Sequence, residues 1–255
     1  MNKTFIIGDV HGMATELQAL LAKLDPVPTD TVVFVGDLVD KGPDSAAVVQ
    51  IVRELAGRVP VVLVEGNHEE KHRRFRKNTV ERPEVAAGMV ERTPELATIT
   101  DDLSEDDIAF LDAAVPFHRV PEHGLLVVHG GIPGSMAEFP ATVEEAQALG
   151  GKRKREFQKV LRTRFVDAES GKMLQLGAET EADPFWAEVF DGRFGHVVFG
   201  HEPFMDGVGE FPHATGIDTG AVFGGELTAM VVDTAGERAF VSVPGRPFAP
   251  LRIVE

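Results

Sequence analysis

Thr31–Val32–Val33–Phe34–Val35–Gly36–Asp37–Leu38–Val39–Asp40–Lys41–Gly42 is the stretch whose reading decides the fold. Its unbroken run of β-branched and aromatic residues reads as a strand covered on both faces. Gly36 ends the run in a tight turn. The turn then presents two carboxylates, Asp37 and Asp40.

Four other stretches repeat this grammar of apolar run, polar turn and metal-binding side chain. They are Gly8–Asp9–Val10–His11, Gly66–Asn67–His68–Glu69, Val128–His129 and Gly200–His201. Asp9 and His11 are two apart, so extended backbone would point both the same way. Carboxylate, amide-oxygen and imidazole donors suit hard and borderline divalent metals. Each turn is weak alone; their conjunction at five strand ends predicts a metal site.

Between the first three strands lie two helix stripes, Leu17–Leu20–Leu21–Leu24 and Val48–Val49–Ile51–Val52–Leu55. Strands alternating with helices imply parallel pairing and right-handed crossovers. Ligands of such sheets sit beyond the carboxyl ends of the strands, where these turns fall. Strand grammar returns at 124–128 and 196–201, and residues 213–243 read as β-hairpins, with Ile217 and Val222 among their strand residues. The stretches about 70–120 and 132–190 read as insertions into a single domain spanning 1–255. The second carries the basic run Lys152–Arg155.

Composition narrows the chemistry. With no cysteine, disulfides, thiolate ligands and cysteine nucleophiles are excluded. Manganese, iron, zinc and magnesium remain as fitting metals. A net charge of −16 opposes non-specific binding to nucleic acid. No apolar run approaches the ~18 residues of a membrane span. The first apolar run stops at Gly8–Asp9, too short for a secretory leader. A soluble, cytoplasmic protein without a membrane partner is expected.

The five motifs, in this order and spacing across 8–201, resemble the phosphoprotein phosphatase branch of the calcineurin-like metallophosphoesterases. The closing Gly216–Ile217–Asp218–Thr219–Gly220 to Thr228 resembles its bacterial members. These include protein phosphatases, symmetrical dinucleoside tetraphosphatases and the phosphatase module of RNA-repair enzymes. The resemblance implies an α/β fold, a four-layer αββα sandwich, holding two divalent metal ions. One ion would take Asp9, His11 and Asp37; the other would take Asp37, Asn67, His129 and His201. Asp37 would bridge them beside an activated water. His68 would be the general acid and Asp40 its carboxylate partner. Lys41 stands where the family usually has arginine, so it keeps the charge but loses the planar fork. Arg193, Arg164 and Arg74 are further candidates to bind phosphate. His72, His118, His123, His196 and His213 read as surface or structural, Asp218 and Thr219 as supporting residues, and Glu69 as a brace for its turn.

The expected activity is hydrolysis of phosphate monoesters, with phosphoserine and phosphothreonine proteins among the substrates. Hydrolysis of symmetrical dinucleoside tetraphosphates, or of RNA 2′,3′-cyclic ends, is the alternative. A non-catalytic scaffold that binds phosphorylated partners is the third reading. His129–Gly130–Gly131 leans towards protein phosphatases, because tetraphosphatases more often carry alanine in the middle.

Overall fold

Thr4–Ile7 (β1), Thr31–Phe34 (β2) and Val61–Leu63 (β3) pair in parallel, as the alternation with helices requires. Ala14–Leu24 (α1) and Ser45–Ala56 (α2) are the crossovers. Asp44 caps α2 by accepting the Ala47 N–H at 2.8 Å. The computed structural model describes residues 2–251.

Four helices follow β3: Asn67–Glu81 (α3), Pro83–Arg92 (α4), Glu95–Asp102 (α5) and Glu105–Asp112 (α6). The first three build a small core of Phe75, Ala86, Met89 and Leu96. Ser104 and Asp107 form a reciprocal capping box at α6, and Asp107 also takes Arg53 of α2 at 2.6 Å. Then come His118–Val120 (β4) and Leu125–Val127 (β5). The second insertion carries Val143–Gln147 (α7), Gly151–Phe157 (α8) and Trp186–Val189 (α9). Strands His196–Phe199 (β6), Gly209–Phe211 (β7), Ala214–Gly216 (β8), Glu226–Val232 (β9) and Arg238–Pro244 (β10) complete the chain.

The strands make two mixed five-stranded sheets, ordered β10-β9-β1-β2-β3 and β4-β5-β6-β8-β7. Alternation along each strand sets the layering. Phe5, Ile7, Val32 and Phe34 pack outward on Leu17 and Leu20 of α1 and Val48 and Val52 of α2. Ile6 and Val33 point the other way, into a core shared by the sheets with Val127, Val198 and Met230. Leu126, Val197 and Phe199 leave that core for a third one, rich in aromatics, with Phe157, Phe185 and Trp186. This is why the strands read as continuous apolar runs: both faces are covered. Truncating a fully buried ring such as Phe34 to alanine would cost about 3–5 kcal/mol.

One expectation is corrected. Ile217 and Val222 are buried but lie in the loop between β8 and β9, not in strands. The chain must reverse there through Gly220 and Gly224, both at positive φ, before β9 pairs antiparallel to β1.

Candidate active site

The five turns read from the sequence all follow the carboxyl ends of parallel strands: β1, β2, β3, β5 and β6. A sixth strand end joins them, because β8 runs parallel to β6 and leads into Asp218. The backbone bends hard to gather these side chains. His11, Asp37, Asp40, Lys41 and His201 all have positive φ, and among the described residues only Asp25 shares that property outside glycine. Such conformations persist where surrounding structure over-determines them. Gly66 and Gly200 make the approach possible: a Cβ on Gly66 would meet Asp37 Oδ1, and one on Gly200 would fall on the Asp9 carboxylate.

Asp37 lies at the centre, almost fully buried. Its Oδ2 is 3.3 Å from His129 Nε2, 3.6 Å from His11 Nε2 and 3.8 Å from His68 Nε2. Two groups of donor atoms able to hold a metal share it: His11, Asp37 and His68, and Asp37, His129 and His201. Asp9 adjoins the first, with Oδ2 at 3.8 Å from His11 Nε2. Asn67 Oδ1 adjoins the second, at 3.0 Å from His129 Nε2.

The imidazoles are oriented from behind. His11 Nδ1 donates to the Val39 carbonyl and His129 Nδ1 to the Val35 carbonyl, each at 3.0 Å. Both rings therefore turn Nε2 toward Asp37, the arrangement that metal-binding histidines use. His201 donates its backbone N–H to Asp9, while its Nε2 is buried without a partner among the described residues. An orphaned buried nitrogen beside a carboxylate cluster fits a divalent ion, and so does a donor set of oxygen and nitrogen without sulfur.

Electrostatics follow burial and partner. Burial, then the charges of Asp218 and Asp37, push Asp9 well above the carboxylate range. Burial and Lys41 push His11 down; burial and Arg164 do the same to His201. Burial works against ionised Asp37, but His129 and His68 hold its pKa low. Burial likewise opposes a charged His129, yet Asp37 raises it to about 9.

His68 and Asp40 meet as the resemblance implied, with His68 Nδ1 at 2.5 Å from Asp40 Oδ2. Burial alone would raise Asp40, but hydrogen bonds from His68 and His72 hold it far below the usual range. With Nδ1 occupied, His68 presents Nε2 towards Asp37.

The candidate phosphate binders separate. Lys41 reaches the centre, its Nζ 2.8 Å from His11 Nε2 and 5.2 Å from the Phe223 ring centroid. Arg164 adjoins it, donating to Glu202 at 2.5 Å and to the His201 carbonyl at 2.6 Å. Arg193 is not brought in. It pairs with Asp191, donates to the Gly134 and Met136 carbonyls and lies over the Phe190 and Phe194 rings. Arg74 is half-exposed and pairs with Glu70 at 3.7 Å. Holding the second insertion together explains Arg193, and a helix surface ion pair explains Arg74.

Two residues at the site carry no role in the sequence reading. His72 Nε2 donates to Asp40 Oδ1 at 2.7 Å, and Lys71 Nζ lies 2.5 Å from Asp40 Oδ2. Their signal is spacing: Lys71 and His72 follow His68 by three and four positions on α3, the same helix face. Asp218, read as a supporting residue, is buried beside Asp9.

Comparison with known proteins agrees with this geometry. The profile of the calcineurin-like phosphoesterases matches residues 3–205. The asymmetrical bis(5′-nucleosyl)-tetraphosphatase PrpE of Halalkalibacterium halodurans is 32% identical over 94% of this chain and 93% of its own. The enzyme so named from Bacillus thuringiensis is 31% identical over 96% of each chain. A solved structure described as a candidate diadenosine tetraphosphatase superposes with a TM-score of 0.70 at 28% identity, covering 96% of this chain and 94% of that one. A Saccharomyces cerevisiae serine/threonine phosphatase at 17% identity and TM-score 0.56, over 98% of this chain and 81% of its own, shares the fold. Among the described residues no helix is long and apolar enough to cross a membrane. Two mixed sheets, a histidine–aspartate centre at their strand ends and a profile spanning most of the chain converge: this protein belongs to the calcineurin-like phosphoesterases, metal-dependent enzymes that hydrolyse phosphoesters.

Proposed function

We propose that this chain is a dinuclear-metal hydrolase of dinucleoside tetraphosphates. The observation that carries hydrolysis is Asp37, shared by two donor groups with the His68–Asp40 pair at its edge. Identity of 31–32% along nearly the whole of both chains with enzymes named asymmetrical tetraphosphatases supports the substrate.

Asp9, His11 and Asp37 would hold one divalent ion, and Asp37, Asn67, His129 and His201 the other, with manganese a fitting metal for these donors. When bound, such ions supply positive charge for phosphoryl oxygens and lower the pKa of a water nucleophile. The chain's own residues do the rest. His68 Nε2 faces the centre and donates a proton to the leaving oxygen as its bond to phosphorus breaks. Asp40 fixes the ring through Nδ1 and leaves Nε2 turned toward the centre. Lys41 adds a cation beside His11 for a phosphate oxygen.

Hydrolysis of phosphomonoesters, including phosphoserine and phosphothreonine in proteins, is the second reading, favoured by His129–Gly130–Gly131. One assay panel on manganese-loaded protein separates the readings. It compares dinucleoside tetraphosphates, phosphopeptides and 2′,3′-cyclic nucleotides, with products identified. A nucleoside monophosphate plus a triphosphate is expected from the tetraphosphate, with the highest kcat/KM of the panel. Two diphosphates would mean symmetrical cleavage. Higher kcat/KM on phosphopeptides would overturn the preferred substrate.

A further inference from the structure

We propose that His72 is a positioning residue for the proton of His68, and that helix α5 of the first insertion holds it through Thr100. The inference rests on the reading of His68 as general acid and extends it to groups outside the five motifs.

The geometry is a chain of hydrogen bonds. His68 Nδ1 contacts Asp40 Oδ2 at 2.5 Å. The other oxygen of the same carboxylate, Oδ1, takes His72 Nε2 at 2.7 Å. His72 Nδ1 meets Thr100 Oγ1 at 3.0 Å. His72 is fully buried, at 0% exposure. A carboxylate accepts only, so His72 Nε2 carries the proton in that contact. Nδ1 of a neutral ring then accepts from the Thr100 hydroxyl. Asp40 thus sets the tautomer of His72, and the Thr100 hydroxyl, which can donate to Nδ1, seats the ring from behind.

The consequence for Asp40 is positional. Asp40 sits at positive φ in an irregular turn, so its backbone alone does not lock χ1 and χ2. Its N–H is taken by Ser45 Oγ at 3.0 Å, a contact that holds the main chain and leaves the carboxylate to be oriented by its own donors. His72 binds Oδ1 from the rigid face of α3, and this directs Oδ2 at His68. Lys71 Nζ also reaches Oδ2, at 2.5 Å, but from a flexible and partly exposed side chain. Of the two donors on α3, only His72 is buried and held at its far end. The α3–α4–α5 insertion is thereby tied to the site, since removing α5 would release the ring from behind.

The experiment uses the full chain with His72→Leu, His72→Gln, Thr100→Val and His68→Asn. The first readout is the His68 Nδ1–H proton and nitrogen-15 resonances in magnesium-loaded protein. Wild type and His72→Gln, whose amide can still donate to Oδ1, should show a slowly exchanging, far-downfield proton. His72→Leu should lose it, and Thr100→Val should broaden it. The second readout is manganese-dependent turnover of p-nitrophenyl and phenyl phosphates, whose leaving groups differ in their need for a proton. His72→Leu should lower kcat on phenyl phosphate about tenfold, a fraction of the ~10²–10⁴ a general acid supplies, and change the p-nitrophenyl rate less. KM should stay within about twofold. An unchanged His68 resonance in both His72→Leu and Thr100→Val, or equal losses on both esters, overturns the assignment. If His68→Asn itself shows no difference between the two esters, the general-acid reading falls instead. If His68→Asn shows the difference and His72→Leu does not, only the His72 assignment falls.

Discussion

Glu69 holds Asp37 by its backbone: Glu69 Oε2 accepts the Asp37 N–H at 2.8 Å, and Oε1 accepts the Leu38 N–H at 2.8 Å. Oε2 also takes the Gly66 N–H at 2.9 Å, so one carboxylate joins the turn after β2 to the start of α3. Asp37 returns the tie, its Oδ1 accepting the His68 N–H at 2.9 Å. The turns that supply Asp37, Asn67 and His68 thus move as one unit. Burial and the Asp37 charge push Glu69 up to about 7, against the pull of these backbone donors.

Replacing Glu69 by glutamine keeps the shape but turns an NH2 toward backbone donors that need an acceptor. With the site buried, an unmet donor costs about 1–3 kcal/mol. Glu69→Gln should therefore lower Tm and weaken divalent-metal binding by about 10–100-fold, as losses behind metal ligands do. Calorimetric titration with manganese measures the second effect; unchanged affinity would show that Asp37 keeps its place without the brace.

Asp37→Asn tests the centre itself. Asparagine keeps one oxygen but loses the charge shared by the two donor groups. Metal content measured by elemental analysis should fall below one ion per chain, and turnover should fall with it. Full loading in the variant would refute a bridging Asp37.

Much of this was legible before any coordinates, and the reason is periodicity. Phe5 to Ile7, Val32 to Phe34 and Val197 to Phe199 are buried on both faces, so each strand is a continuous apolar run that a glycine turn must end. Side chains placed at such ends stand out against the apolar background. Helix α3 gave no such contrast. Glu70, Lys71, His72 and Arg73 form a polar run with no apolar contrast, and the burial of His72 follows from its contacts with Asp40 and with Thr100 of α5. The contacts of Arg193 are hidden from the sequence for a related reason. Its partners Gly134 and Met136 lie 59 and 57 positions away in the sequence, where no local pattern could announce them.

A pH effect on stability should arise far from Asp37, at His196. Its Nε2 contacts Thr215 Oγ1 at 2.8 Å between β6 and β8. Burial, then Arg238 and His213, lower its pKa to about 4. The unfolded chain binds a proton there near 6.5, so between these values only the unfolded state is charged. The stability contributed by this site is complete above about pH 6.5 and declines as pH falls towards 4. The ring is only half-buried, so solvent screening reduces the effect to about 1 kcal/mol, or ~2–4 °C in Tm for a chain this size. His196→Gln preserves a hydrogen bond without titrating. Its Tm should fall less than that of wild type between pH 7.5 and pH 4.5, and parallel losses would refute the assignment.

Lys41 gives the prediction with two opposed signs. Its ammonium donates to His11 Nε2, the same lone pair that a metal ion on His11 would need. His11 cannot serve both, since its other nitrogen is committed to the Val39 carbonyl. Lys41 must swing away on loading, and from its place near Phe223 it can then meet a phosphate oxygen. Lys41→Met removes the competitor and the phosphate contact together. The manganese concentration for half-loading should fall severalfold, while KM for the phosphoester rises about tenfold, the scale of one charge-assisted hydrogen bond. Lys41→Arg should keep KM low, because the guanidinium retains the charge and adds a fork. Weaker metal binding in Lys41→Met would mean that the lysine supports His11 rather than competing for it, and an unchanged KM would remove Lys41 from the substrate site.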